Sequence, residues 1–156
     1  MKNIALFGIY FGKAEFTLAS DLMKIEDSGM KPFCCGSVMT ELRPNTDETQ
    51  FGDKHIPWCE CSGCDIKVKI GATLHPSAPE HHIKWIYLET DQGGQLYYPI
   101  VGEAPVALFH LRPGEKAEAV YCYCNIHGLW RCDCKCACES DPEFLENDCS
   151  DCNVGN

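Results

Sequence analysis

Hydrophobic and polar positions alternate at short range along much of this chain, and no segment sustains the 3.6-residue repeat of an amphipathic helix. Beyond residue 53, short runs of β-branched, aromatic and aliphatic residues are separated by Gly, Pro and Asp. They predict strands at about Trp58 to Glu60, Asp65 to Ile70, Ile83 to Thr90, Gln95 to Ile100, Val106 to Leu111 and Ala117 to Tyr123. Gln92-Gly93-Gly94, between two of these runs, predicts a hairpin turn. Upstream, Ile4 to Phe16 reads as a strand or hairpin and Leu18 to Met23 as a helical turn or another strand. The polar, turn-rich residues 43–53 read as a linker. The expected class is all-β, an immunoglobulin-like β-sandwich or barrel with a small N-terminal β appendage.

The pattern ends at Cys132. Beyond it come Cys132-Asp-Cys134-Lys-Cys136-Ala-Cys138, an acidic spacer and Cys149-Ser-Asp-Cys152, with almost nothing apolar to pack. Such an irregular tail is either disordered or organised by a metal, because it cannot order itself by burying surface. Three units are therefore expected: an appendage at 1–45, a main domain at 46–131 and a Cys-rich tail at 132–156.

Charge and cysteine content narrow the function. A net charge of -10 argues against nucleic acid and anionic membrane surfaces, which repel an acidic chain. No apolar stretch approaches the roughly 18 residues of a membrane span. Thirteen cysteines is high and odd, while Met1 to Phe11 carries one Lys and a short apolar run without a cleavage-site signature. A cytoplasmic, reducing setting is expected, where clustered cysteines bind metal more often than they pair.

Cys124 and His127, three residues apart with Gly128 behind them, form a candidate metal motif of borderline-soft ligands suited to iron, zinc or copper. His55, His75, His81 and His82 all lie at loop or strand-edge positions, where each taken alone reads as an exposed surface residue. Together with Cys124 and His127 they offer four imidazoles and a thiolate, with one histidine to spare. A structural zinc site closes at four ligands, whereas five protein ligands on iron leave one octahedral position for a reactant.

Three runs carry a resemblance: Asp53-Lys54-His55-Ile56-Pro57, His75-Pro76-Ser77-Ala78-Pro79-Glu80-His81-His82-Ile83-Lys84-Trp85-Ile86, and Cys124-Asn125-Ile126-His127-Gly128-Leu129-Trp130. In order, spacing and flanking residues they resemble the iron-binding core of the superoxide reductases, the desulfoferrodoxin and neelaredoxin family, over roughly residues 34–131. The resemblance implies a mononuclear non-haem iron with equatorial His55, His75, His81 and His127 and axial Cys124. It implies one-electron reduction of superoxide to hydrogen peroxide without dioxygen, with electrons from a reduced rubredoxin-like or other small donor, in a homo-oligomer, dimer or tetramer. Lys54 is expected to draw superoxide in and help protonate the product. Asp53 stands where the family commonly has a Glu able to reach ferric iron, and is one methylene shorter. His82 falls at a non-ligand position of the family, and His110 lies in a strand with no motif around it.

Cys34-Cys35-Gly36 resembles the second half of the small rubredoxin-like iron site at the front of desulfoferrodoxins. The counterpart of its first half, Gly8 to Phe11, has no thiol, so that centre is expected to be absent. The tail offers six thiols, Cys132, Cys134, Cys136, Cys138, Cys149 and Cys152, and is similar to the extension that carries a cluster in superoxide reductases of methanogenic archaea. A [4Fe-4S] cluster is expected there, with zinc bound in metallothionein fashion as the competitor. Cys59, Cys61 and Cys64 are further thiols able to join it. The alternatives to a reductase are a non-catalytic metal-thiolate module, zinc or iron-sulfur, and an electron carrier.

Overall fold

The computed structural model describes residues 4–8, 23–26, 33–34, 37–38, 40–46 and 51–139. Near the N-terminus, β1 (Ile4–Gly8), β2 (Met23–Glu26) and β5 (Thr40–Leu42) form an antiparallel sheet in the order β2-β1-β5. A short pair, β3 (Phe33–Cys34) and β4 (Ser37–Val38), lies between them in sequence. After a single helical turn, α1 (Gly52–His55), come β6 (Pro57–Ser62), β7 (Asp65–Ile70), β8 (Ile83–Thr90), β9 (Gly93–Tyr97), β10 (Val106–His110), β11 (Ala117–Cys124) and β12 (Gly128–Asp133). They make two antiparallel sheets, β10-β7-β6 and β12-β11-β8-β9. The expected immunoglobulin-like β-sandwich is what the chain forms.

Period-two alternation builds the contact between the sheets. On β7, Ile66, Val68 and Ile70 are each fully buried while Asp65 and Lys67 face out. They pack with Phe109 and Leu111 against Ile86 and Leu88 of β8 and Val120 and Cys122 of β11. β8 and β11 are the central strands of their sheet, and both of their faces are covered. The outward face carries a second cluster, Trp85, Tyr87, Tyr123 and Leu129, with Leu42 packed on it. Two-sided burial explains why β8 is apolar almost throughout rather than alternating.

The strands at Asp65–Ile70 and Ile83–Thr90 have the expected bounds. Elsewhere the structure differs. The hairpin between β8 and β9 turns at Asp91-Gln92, not at Gln92-Gly93-Gly94, because both glycines pair in the ladder, Gly93 with Thr90 and Gly94 with Glu89. A side chain at Gly94 would strike the Tyr87 ring, which covers that position. The end of the expected linker is α1, whose one turn is too short to display a helical period. β12 runs to Asp133, two residues beyond the expected domain end. Cys35, Cys149 and Cys152 lie outside the described residues.

Candidate metal centre

Three chain segments converge at one end of the sandwich. α1 presents His55, the loop between β7 and β8 presents His75 and His81, and the β11–β12 turn presents Cys124 and His127. Their rings form a quadrilateral. The four neighbouring pairs, His55–His75, His75–His81, His81–His127 and His127–His55, have centroids 4.7, 4.5, 5.0 and 4.6 Å apart and meet edge to face, while the diagonal His55–His81 is 6.1 Å. Ligand atoms of His55, His81, Cys124 and His127 all lie within 4.8 Å of one another. Cys124 Sγ is 3.5 Å from His127 Nδ1, which is 3.0 Å from His55 Nε2.

Backbone carbonyls orient the rings. His55 Nδ1–H donates to the Phe51 carbonyl at 2.7 Å and His75 Nδ1–H to the Pro76 carbonyl at 2.6 Å, which turns both Nε2 atoms inward as lone-pair donors. The Nε2 atoms of His75 and His81 are buried without a hydrogen-bond partner. Buried polar atoms are nearly always satisfied, so inward lone pairs in this state fit a metal. Charge tells the same story. Burial holds His75 down at about 4 and lowers His55, keeping both imidazoles in the neutral, metal-binding form. His81 is lowered by burial first, then by His127 and His82, and the nearby Lys54 ammonium adds to it. Burial pushes the Cys124 thiol up, while backbone N–H groups of His127 and Ile126 hydrogen-bond the sulfur and pull the other way. Four nitrogens and one sulfur of this kind suit iron; they are too many for a closed structural zinc site.

The fold fixes these groups through contacts that lie outside the ligand set. Gly71, at φ 82°, accepts no side chain because one would meet the Lys54 carbonyl, so the end of β7 presses directly on α1. Its N–H bonds the Ile56 carbonyl at 3.1 Å, and Thr73 N–H bonds the Asp53 carbonyl at 3.2 Å. The buried Cys122 thiol donates to the His55 carbonyl at 3.3 Å. Asn125 clamps the histidine loop to the turn: its amide donates to the Glu80 carbonyl and its carbonyl oxygen accepts from His82 N–H, both at 2.9 Å. In the sequence, the only signal of this role is the place of Asn125 between Cys124 and His127.

Lys54 and Asp53 are exposed on α1. His82 turns its ring to the Ala78 carbonyl, and the exposed His110 pairs with Asp65 at 2.7 Å, so neither joins the quadrilateral. Cys132 lies in β12, and Cys134, Cys136 and Cys138 follow it with buried side chains. Cys136 and Cys138 are disulfide-bonded to Cys61 and Cys64, whereas the sequence favours metal binding over pairing. Among the described residues no helix is long and apolar enough to cross a membrane.

The sequence profile described as Desulfoferrodoxin matches residues 47–133. A desulfoferrodoxin of Clostridium acetobutylicum is 30% identical over 112 residues, spanning 72% of this chain and 86% of that protein. A superoxide reductase of Pyrococcus horikoshii is 33% identical over 96 residues, 51% of this chain and 84% of its own. The crystal structure of the superoxide reductase from Treponema pallidum superposes with a TM-score of 0.71 at 29% identity, covering 85% of this chain and 100% of that one.

Proposed function

The chain belongs to the desulfoferrodoxin family, and on that premise we propose that it is a superoxide reductase, converting superoxide and two protons to hydrogen peroxide with one electron and no release of dioxygen. The single observation that carries this is the edge-to-face square of four buried or half-buried imidazoles with the Cys124 sulfur beside it. His55, His75 and His81 through Nε2 and His127 through Nδ1, together with the Cys124 sulfur, would hold iron. Bound ferrous iron supplies the electron, made readily available by charge donated from the thiolate.

The chain's own groups do the rest. The N–H groups of Ile126 and His127 limit how much charge Cys124 donates. Lys54 offers a positive charge on the exposed face of α1, close enough to His81 to lower it, against an overall charge of -10. That local charge attracts an anion at short range, where the net repulsion is screened. The same ammonium would offer a proton to the reduced substrate. Asp53 precedes it, exposed on α1, as the shorter counterpart of the family's glutamate.

The proposed chain has three units, an N-terminal remnant at 1–45 without its own iron, the iron domain at 46–131 and a tail at 132–156 that carries a [4Fe-4S] cluster. Its ligands are drawn from Cys132, Cys134, Cys136, Cys138, Cys149 and Cys152, more thiols than the four such a cluster takes. A reduced rubredoxin-like or similar small protein donates electrons in the cytoplasm. Exposed Leu96, Tyr98, Ile100 and Val101 on and after edge strand β9 support a homo-oligomer, dimer or tetramer.

Anaerobic purification, iron analysis and stopped mixing with superoxide test the reductase reading. Expected are one iron per histidine site, a thiolate-to-ferric absorption band on oxidation and peroxide formed without dioxygen. Cys124→Ser should abolish the band and slow peroxide formation; unchanged turnover in that variant would sink the proposal.

A further inference from the structure

Seven sulfurs outside the histidine site meet at one place. Cys134, Cys136 and Cys138 alternate with exposed Asp133, Lys135, Ala137 and Glu139, so the Cys-x-Cys-x-Cys spacing puts every sulfur on one face of an extended segment. That segment continues β12 alongside the start of β11. Cys134 N–H bonds the Glu118 carbonyl at 3.0 Å, Ala117 N–H the Cys136 carbonyl at 2.8 Å, and Cys138 N–H the Glu115 carbonyl at 3.0 Å. Opposite lies the β6–β7 hairpin, whose Cys59, Cys61 and Cys64 face it. Cys59 Sγ is 3.8 Å from Cys132 Sγ, and Cys134 Sγ is 3.6 Å from Cys136 Sγ. Cys61 is bonded to Cys136 and Cys64 to Cys138.

As a covalent staple this arrangement is redundant. The Cys61–Cys136 bond closes a separation of 75 residues, and Cys64–Cys138, at 74, joins the same two segments again. Disulfide stabilisation comes chiefly from loop closure, so the second bond encloses only the few residues between the first pair and adds little. Three further thiols stand in contact, and Cys134 is placed to attack Cys136, forming a Cys134–Cys136 bond and releasing Cys61 as a thiolate. A metal uses the set better. With a metal–sulfur bond of about 2.3 Å, the edge of a tetrahedron of sulfurs is about 3.8 Å, the spacing found here between sulfurs that are not bonded.

We propose that the β6–β7 hairpin and the extension of β12 together form a second metal centre, Cys59, Cys61 and Cys64 on one side and Cys132, Cys134, Cys136 and Cys138 on the other, taking a thiophilic metal in tetrahedral sulfur coordination. Iron as an iron-sulfur cluster and zinc share this chemistry. The reduced chain is the one that binds: opening the two disulfides takes four electrons and four protons, supplied by a dithiol reductant, and loading then releases thiol protons. The inference rests on the reading of a second centre given above and takes Cys59, Cys61 and Cys64 of the hairpin in place of Cys149 and Cys152.

The test uses the full chain, purified anaerobically with dithiol present, as wild type, Cys61→Ser/Cys64→Ser and Cys149→Ser/Cys152→Ser. Iron, zinc and acid-labile sulfide are counted per chain, with the thiolate-to-ferric band as the internal measure of the histidine site. Wild type should hold metal beyond one iron, with sulfide if it is a cluster and zinc without sulfide otherwise. The hairpin variant should lose at least half of the extra metal and keep the band; the tail variant should keep both. Alkylation of metal-loaded wild type gives a readout independent of variant folding, since exposed Cys61 should be protected until a chelator is added. Extra metal lost from the tail variant but kept in the hairpin variant overturns the shared site while leaving a second centre in place. Rapid alkylation of Cys61 and Cys64 with metal bound also overturns it. Wild type with no metal beyond the histidine iron removes both readings of a second centre, and the band shows that the reductase site survives.

Discussion

The Trp130 indole lies flat on the His55 imidazole, with ring centroids 4.7 Å apart and planes inclined by 19°. Trp130 is 2% exposed and stands three residues after His127 on β12, so one aromatic backs one candidate ligand and follows another along the chain. Trp130→Ala should lower unfolding stability by about 3–5 kcal/mol through the cavity it leaves. Trp130→Phe should lose less, because a ring still backs His55. Urea midpoints of the metal-free proteins measure both; equal losses would show that stacking on His55 adds nothing to volume.

Asn125 bonds the loop that carries His81 and His82 on both of its amide atoms. Asn125→Ala should weaken iron binding by about 10–100-fold, the usual scale for groups that orient metal ligands. Competition with a chelator at fixed pH reads this directly, and Asn125→Asp should recover part of it by still accepting from His82 N–H.

Lys54 adds to the lowering of His81 that burial, His127 and His82 begin. Lys54→Ala should reduce the second-order rate constant with superoxide by about tenfold or more and flatten its dependence on ionic strength, while Lys54→Arg keeps both. Pulse radiolysis across a salt series supplies the rates. A rate unaffected in the alanine variant would remove Lys54 from substrate capture.

His75 is held at about 4 by burial against an ordinary value of 6.5. Between these values the unfolded chain binds the proton and the folded chain does not, so folding stability rises with pH across that window. The metal-free protein should therefore have its full stability above about pH 6.5 and lose it as the pH falls toward 4, with His55 and His81 shifted in the same direction. Denaturant midpoints at pH 7.5 and 5 should differ, and His75→Gln should shrink the difference.

Much of this was legible before any coordinates. β7 and β8 announce themselves because one alternates cleanly and the other is apolar and bounded by turns. The clustering of the histidines with Cys124 was legible because these residues sit in three short runs whose flanking residues are as distinctive as they are. Other features were hidden for physical reasons. Gly93 and Gly94 look like a turn, yet Tyr87 needs a residue without a side chain beneath its ring. Cys59 and Cys132 are 73 residues apart, and only the packing of two sheets brings their sulfurs to 3.8 Å. No local pattern encodes that meeting; it depends on the register of β6 against β7 and of β12 against β11.

The alternation of Cys134, Cys136 and Cys138 gives this edge of the molecule something like a reading frame. Deleting Asp133 or Lys135 alone would send each downstream sulfur to the solvent side and bring its charged or small neighbour inward. Deleting both would bring Cys136 and Cys138 back to the inner face two residues early and leave Cys134 alone out of phase. Single-residue slips should therefore be far more damaging here than double ones, a parity that ordinary loop tails do not show.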